Sequence, residues 1–126
     1  MMLLYDSSAF FELLKSNELD YDAFLTDLNF YEIGNVLWKH KNILKELTEA
    51  DVKKISKVLI DWNNLIRIDS ESDFEKILEI ALKQSITFYD STYIHFAKKF
   101  GLKLITYDKK LDKAAKKQKI KCQLLK

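Results

Sequence analysis

The sequence predicts an α/β fold: a three-layer α/β/α sandwich built on a parallel sheet of about five strands. Three observations lead there. Short apolar runs of strand length alternate with segments of helical period, and parallel neighbours need such crossover helices between them. The chain has no proline and only two glycines, which leaves short, plain connections. At 126 residues, 48% of them hydrophobic, it suits one folded domain spanning 1–126 with a real core.

Met2-Leu-Leu-Tyr5 is a continuous apolar run, as expected of a strand buried on both faces. Asp6 ends it, and Ser7 or Ser8 can cap a helix over Ala9–Lys15 that carries Phe10, Phe11 and Leu14. Ala23–Thr26 is a second strand. Asp27 is placed to cap a helix over Leu28–Lys41, with Ile33, Val36, Leu37 and His40 toward the core. Gly34, unfavourable in a helix by about 1 kcal/mol against alanine, suits a close approach to the sheet. Glu32, Asn35 and Lys39 share another face of the same helix.

Thr48–Asp51 opens a further helix with the apolar stripe Ile55, Val58, Leu59 and Trp62. Leu65–Ile68 is a third strand. Ser72-Asp-Phe-Glu75 reads as a capping box. The helix after it lines up Phe74, Ile77, Leu78, Ala81 and Leu82. The stretch from Ile86 to Leu111 then reads as a helix begun at Asp90, a stop at Gly101, and a strand over Leu102–Thr106. Tyr93, Phe96, Ala97 and Phe100 form the buried face of that helix. A lysine-rich helix follows over Lys109–Lys117. Ile120, Cys122 and Leu124 alternate in a last strand suited to a sheet edge.

Charge divides the chain. Lys98 to Lys126 carries eleven lysines against Asp108 and Asp112, a net +9, while residues 1–97 carry ten basic and seventeen acidic groups, a net −7. A basic final third suits a polyanion, and a solvated lysine face would look the same. The single cysteine excludes an internal disulfide and offers no paired metal ligand, which fits a reducing cytoplasm. No apolar run is long enough to span a membrane, and no signal-peptide pattern is present.

In an open parallel sheet, ligands bind beyond the carboxyl ends of the strands where strand order reverses. Asp6 and Asp108 lie at such ends. Glu32 lies on a helix face the core does not need, and Asp90 begins the helix that leads into the fourth strand. Four carboxylates in one cleft repel each other and raise one another's pKa, and a divalent cation relieves this. An all-oxygen set suits Mg²⁺ or Mn²⁺, and the lack of a Cys/His cluster argues against zinc. Such ions serve phosphodiester hydrolysis.

The segments LLYDSS, YEIGNVL, TFYDSTYIHFAKKFG and LITYDKKL resemble the PIN domain family, and within it the VapC-type toxins of toxin–antitoxin pairs. The last two segments are the most specific. The resemblance implies a PIN-like fold and an Mg²⁺- or Mn²⁺-dependent endoribonuclease. It places Asp6, Glu32, Asp90 and Asp108 on the family's acidic quartet as metal ligands and catalytic residues. Thr106 falls on the hydroxyl position beside the last acid, and Asn35 on an asparagine one turn after the glutamate. Hydrolysis would leave a 3′-hydroxyl and a 5′-phosphate. The resemblance also implies an RNA substrate, a small antitoxin partner and a homodimer. The compact segment between the first helix and the second strand departs from the family pattern.

Several residues have blander readings. His40 and His95 suit structural positions rather than a general base. Tyr89, Tyr93, Phe96 and Phe100 could stack on bases, but core packing accounts better for the last three. Cys122 reads as a small buried hydrophobe. Asp112 competes with Asp108, which is preferred because it closely follows the strand. Lys109, Lys110, Lys113, Lys116 and Lys117 can meet an RNA backbone through charge alone. Two other functions compete: a non-catalytic PIN-fold binding module, and a receiver domain phosphorylated at Asp69 and using Thr106 and Lys109. The receiver reading leaves Glu32 and Asp90 unexplained.

Overall fold

The structure is a computed structural model that describes residues 2–20, 22–61 and 66–126. Five strands form one sheet: β1 (Leu3–Tyr5), β2 (Ala23–Thr26), β3 (Ile66–Ile68), β4 (Lys103–Thr106) and β5 (Cys122–Leu124). Their order is β3-β2-β1-β4-β5, and every pairing is parallel. Six helices connect them: α1 (Ser7–Lys15), α2 (Asp27–Asn42), α3 (Glu49–Ile60), α4 (Phe74–Gln84), α5 (Phe88–Phe100) and α6 (Lys109–Lys117).

The period of two along each strand builds a core on each face of the sheet. Leu4 and Leu104 join Ile77, Ile94, Phe96 and Leu111 on the side of α4, α5 and α6. Tyr5, Leu25 and Ile105 join Phe10, Phe11, Ile33 and Leu37 on the side of α1, α2 and α3. This is the expected three-layer sandwich. Leu4, Leu104 and Ile94 have no exposed surface, and each such side chain contributes on the order of 2 kcal/mol by leaving water. Among the described residues, no helix is long and apolar enough to cross a membrane.

Several local expectations are corrected. Asp6, not Ser7 or Ser8, caps α1 by accepting from the Ala9 amide at 2.8 Å. Thr26, not Asp27, caps α2, and Thr87, not Asp90, caps α5. In both cases a threonine in extended backbone supplies the cap, and the aspartate falls within the first turn. The Ser72–Glu75 box does not form. Glu71–Asp73 is a 3₁₀ turn, α4 has no side-chain cap, and Asp73 bonds His95 and Lys99 instead.

On α4 only Ile77 and Ala81 are buried, while Phe74, Leu78 and Leu82 are exposed. Phe100 is also exposed, because it lies at the last turn of α5 beyond the core. Gly34 is exposed with no neighbouring atom within 4 Å of an added Cβ, so no close approach requires it. Gly101 ends α5 at φ +64°, a conformation that favours glycine. Trp62 and Leu65, assigned above to an apolar stripe and a strand start, lie outside the described residues. Leu102 is buried but precedes β4.

Candidate active site

The strand order reverses at β1. Its neighbours are β2 on one side and β4 on the other, so the carboxyl ends of β1 and β4 open on one crevice. Asp6 follows β1, and its amide continues the ladder to the Ile105 carbonyl at 3.2 Å. Its carboxylate is buried and fully engaged. Oδ1 accepts from the Ala9 amide and from the Ser8 hydroxyl at 2.9 Å. Oδ2 accepts a short bond from the Thr106 hydroxyl at the end of β4. Burial raises the Asp6 pKa, these bonds oppose the rise, and the Glu32 charge adds to it.

Glu32, one turn into α2, is held from two sides. Its Oε1 accepts from Ser7 Oγ at 3.1 Å and from the Tyr93 hydroxyl of α5 at 2.5 Å. Behind them sits Asn29, with no exposed surface. Its amide nitrogen faces the Tyr5 carbonyl and Ser7 Oγ at 3.1 Å, and the Tyr93 hydroxyl at 3.2 Å. Its carbonyl oxygen accepts from the Thr26 amide at 2.7 Å, which closes the α2 capping box. Burial and the Glu32 charge push the Tyr93 pKa well above the usual phenol range. Tyr93 therefore stays protonated and donates to Glu32.

Asp90 and Asp108 are held differently. Asp108 caps α6, its Oδ1 accepting from the Lys110 amide at 2.8 Å and the Leu111 amide at 3.4 Å. Asp90 lies in the first turn of α5, and among the described residues no hydrogen bond holds its carboxylate. Its pKa is raised, first by burial and then by the charges of Asp108, Asp6 and Glu32, with Lys110 opposing. The Asp90 carboxylate thus lies within the field of all three other acids. As they stand, no three or more acidic, histidine or cysteine side chains among the described residues are arranged to hold an ion.

Other candidates fall on either side of this crevice or away from it. Thr106 is buried, and its hydroxyl also accepts the Asp108 amide at 2.9 Å, linking two of the acids. Lys109, Lys110 and Lys113 are exposed on α6, as are Lys116 and Lys117. Asn35 is exposed and lines a cleft of about 380 Å³ together with Ser7, Ser8, Tyr31, Glu32 and Tyr89. Asp112 is buried and bonds Lys116 at 2.9 Å beside Cys122, so Asp108 is the acid at the strand end. Burial and Asp112 push the Cys122 thiol up to about 12, which keeps it protonated. His40 meets Glu46 at 2.6 Å, and His95 meets Asp73 at 2.5 Å, away from the acids. Asp69 follows the edge strand β3, which β2 separates from the switch point at β1, and it accepts the Glu71 amide.

Reading the sequence missed Asn29 and the tyrosine hydroxyl. Tyr93 carries an apolar ring at helical spacing, so the pattern assigns it to the core. That assignment is correct for the ring and silent about the hydroxyl. Asn29 offered one signal, an asparagine three residues after a capping threonine.

The PIN domain family model matches residues 3–117. The chain is 30% identical over 87 residues to "Ribonuclease VapC3" of Pyrobaculum aerophilum, across 68% of this chain and 65% of that protein. It is 32% identical over 84 residues to "Exonuclease VapC9" of the same organism, across 67% of this chain and 60% of that one. The matches therefore span less than two thirds of either relative. In fold it is similar to PAE2754 of Pyrobaculum aerophilum, with a TM-score of 0.72 at 24% identity over 92% of this chain and 89% of that one. It is also similar to FitAcB of Neisseria gonorrhoeae, with a TM-score of 0.61 at 16% identity over 97% and 96%. With nearly its whole length matched and the fold shared, this chain belongs to the PIN domain family.

Proposed function

We propose that this chain is a divalent-metal-dependent endoribonuclease, the toxin of a VapBC-type pair, working on RNA in the cytoplasm. The observation that carries this reading is the Asp90 carboxylate, half-buried in the field of Asp108, Asp6 and Glu32. The mutual repulsion that these charges exert on Asp90, opposed only in part by Lys110, is what a cation would relieve, and carboxylate oxygens alone suit a hard one such as Mg²⁺ or Mn²⁺. Asp6, Glu32, Asp90 and Asp108 would hold it, with side chains closing inward from their present positions. When bound, such an ion neutralises charge on a phosphate and makes water a better nucleophile.

The chain's own residues prepare this site. Ser8, Thr106 and the Ala9 amide fix Asp6, and Thr106 ties it to the Asp108 backbone. Tyr93 and Ser7 aim Glu32. Lys110 acts on Asp90 and, with the exposed Lys109 and Lys113 of the same helix, would hold phosphates of the strand. The exposed Trp38 of α2, with Ile43 and Leu44 after it, offers a surface for an antitoxin or a second copy of the chain.

The test is cleavage of single-stranded RNA with and without Mn²⁺, parent against Asp90→Asn. The parent should cut only with metal, and the variant should fold yet lose at least about 100-fold in rate, since even indirect partners of metal sites cost 10- to 100-fold. Full activity in Asp90→Asn, or cutting unaffected by chelator, would sink the reading.

A further inference from the structure

The acidic crevice has one wall that the mechanism above does not use. Tyr31 on α2 is 81% exposed, and Tyr89 in the first turn of α5 is 59% exposed. A single exposed aromatic side chain is ordinary, but two that line the same hollows form a patch of the kind that marks a binding surface. These two line the same cleft as Glu32, Ser7 and Asn35. They also line a second hollow of about 190 Å³ that contains Asp27 and Ser70. Two open rings thus border consecutive hollows leading away from the acids.

Topology places the opposite wall. α2 follows β2, on the β3 side of the switch point, whereas α6 follows β4, on the β5 side. Tyr31 of α2 therefore lies on the β3 side, Tyr89 joins it by lining the same two hollows, and among the described residues neither hollow is lined by a lysine. In contrast, α6 on the β5 side carries Lys109, Lys110 and Lys113, of which Lys110 acts on Asp90. One wall offers π faces with hydrogen-bonding groups between them, and the other offers positive charge. A single-stranded nucleic acid has this pair of properties, bases on one side and phosphates on the other. A duplex hides its base faces.

We propose that Tyr31 and Tyr89 form a base-stacking subsite that holds unpaired nucleobases of a single-stranded RNA next to the scissile phosphate. This rests on the nuclease reading above and adds to it the residues that would hold the bases of its substrate. Stacking is tolerant of base identity, so the tyrosines select for unpaired strand, and the exposed Asn35 lies in the same hollow, where a base edge can meet it. Tyr93 takes no part, because its ring is buried.

The experiment is binding in EDTA, where nothing is cut, of a fluorescein-labelled single-stranded RNA and of the same strand annealed to its complement. The parent should favour the single strand. Tyr31→Ala and Tyr89→Ala should each weaken single-strand binding by about 5- to 100-fold, the range for one stacked base, and leave duplex binding unchanged. Tyr31→Phe and Tyr89→Phe should bind like the parent, because the ring is kept. Lys110→Ala should weaken both forms alike and lower the salt dependence. Both rings are exposed, so matched melting curves will show intact folds.

Single-strand binding unchanged in both alanine variants overturns the subsite. So does a change confined to dimerisation or to capture of a protein partner. Because binding is read without metal, the two proposals fail separately. Tyrosine-dependent binding without metal-dependent cutting removes the nuclease reading alone. Cutting that needs Asp90, with binding indifferent to both tyrosines, removes the subsite alone.

Discussion

The four acids form two unlike pairs. Asp6 and Glu32 are built in: each accepts from two or three donors, and all of these but the exposed Ser8 are buried. Asp108 spends one oxygen on a helix cap, and Asp90 has no hydrogen bond to its carboxylate among the described residues. The first pair contributes to the fold as well as to the site. Asp90 mainly adds charge. One pair is thus fixed by bonds from the surrounding structure, and the other is held by one helix cap or, among the described residues, by no hydrogen bond. The same split separates what removing each acid should do.

The largest contrast is in stability. Asp6→Ala removes the α1 cap, worth about 0.5–2 kcal/mol, and strands the buried Thr106 hydroxyl, worth about 1–3 kcal/mol. The combined loss should be about 2–4 kcal/mol, a fall in Tm on the order of 10 °C. Asp90→Ala should shift stability by no more than about 0.5 kcal/mol, because it breaks no hydrogen bond among the described residues. Thermal melts of the metal-free proteins decide the matter. Equal losses in the two variants would erase the distinction between the pairs.

Tyr93→Phe tests how far the rigid pair depends on its support. The ring remains in the core, but the hydroxyl that donates to Glu32 and accepts from Asn29 is gone. Stability should fall by about 1–3 kcal/mol. Cleavage should fall about 10- to 100-fold through lost orientation of Glu32, as for other partners of metal ligands. A positioning role predicts a fall in kcat with KM for RNA preserved. A purely structural role predicts a stability loss with kcat unchanged below the melting range, so the two parameters measured at low temperature separate the possibilities.

Much of this arrangement was legible in the chain because it is local. Asp6 and Asp108 lie at the ends of apolar runs, Gly101 stops a helix, and alternation of strands and helices dictates a parallel sheet. That Asp6 and Asp108 lie at neighbouring strand ends then follows from one topological fact, the pairing of β1 with β4. The caps were misplaced because threonine and aspartate both suit them, and the backbone chooses between them only when the first turn packs. Thr26 wins over Asp27, which is left to hold the Ser70 amide and hydroxyl at 3.1 and 2.8 Å. The exposure of Phe74, Leu78 and Leu82 could not be read either, since period defines a face and not what covers it. Asn29 was hidden for the opposite reason. A buried polar residue shows its worth only through partners far apart in sequence, here Tyr5, Ser7 and Tyr93.

The smallest effect concerns pH and the unbonded acid. The Asp90 pKa is raised above the ordinary 3.8, by burial first and by three neighbouring carboxylates after it. The folded chain therefore binds this proton more tightly than the unfolded chain does. Unfolding then releases the proton, so stability falls as pH rises from 3.8 through the raised value, and the full cost is carried above it. Asn at position 90 cannot ionise and escapes that cost. Metal-free Asp90→Asn should melt slightly above the parent at pH 7, and the gap should close as pH falls below 3.8, where Asp90 is neutral in both states. Asp6→Asn should show no such gain, although burial raises Asp6 too, because the substitution perturbs the bonds from Ser8 and Thr106. Melts of the three proteins in chelator across this range test the sign. A gap for Asp90→Asn that is negative at pH 7, or flat with pH, would show that Asp90 does not stand in the field of the other three acids.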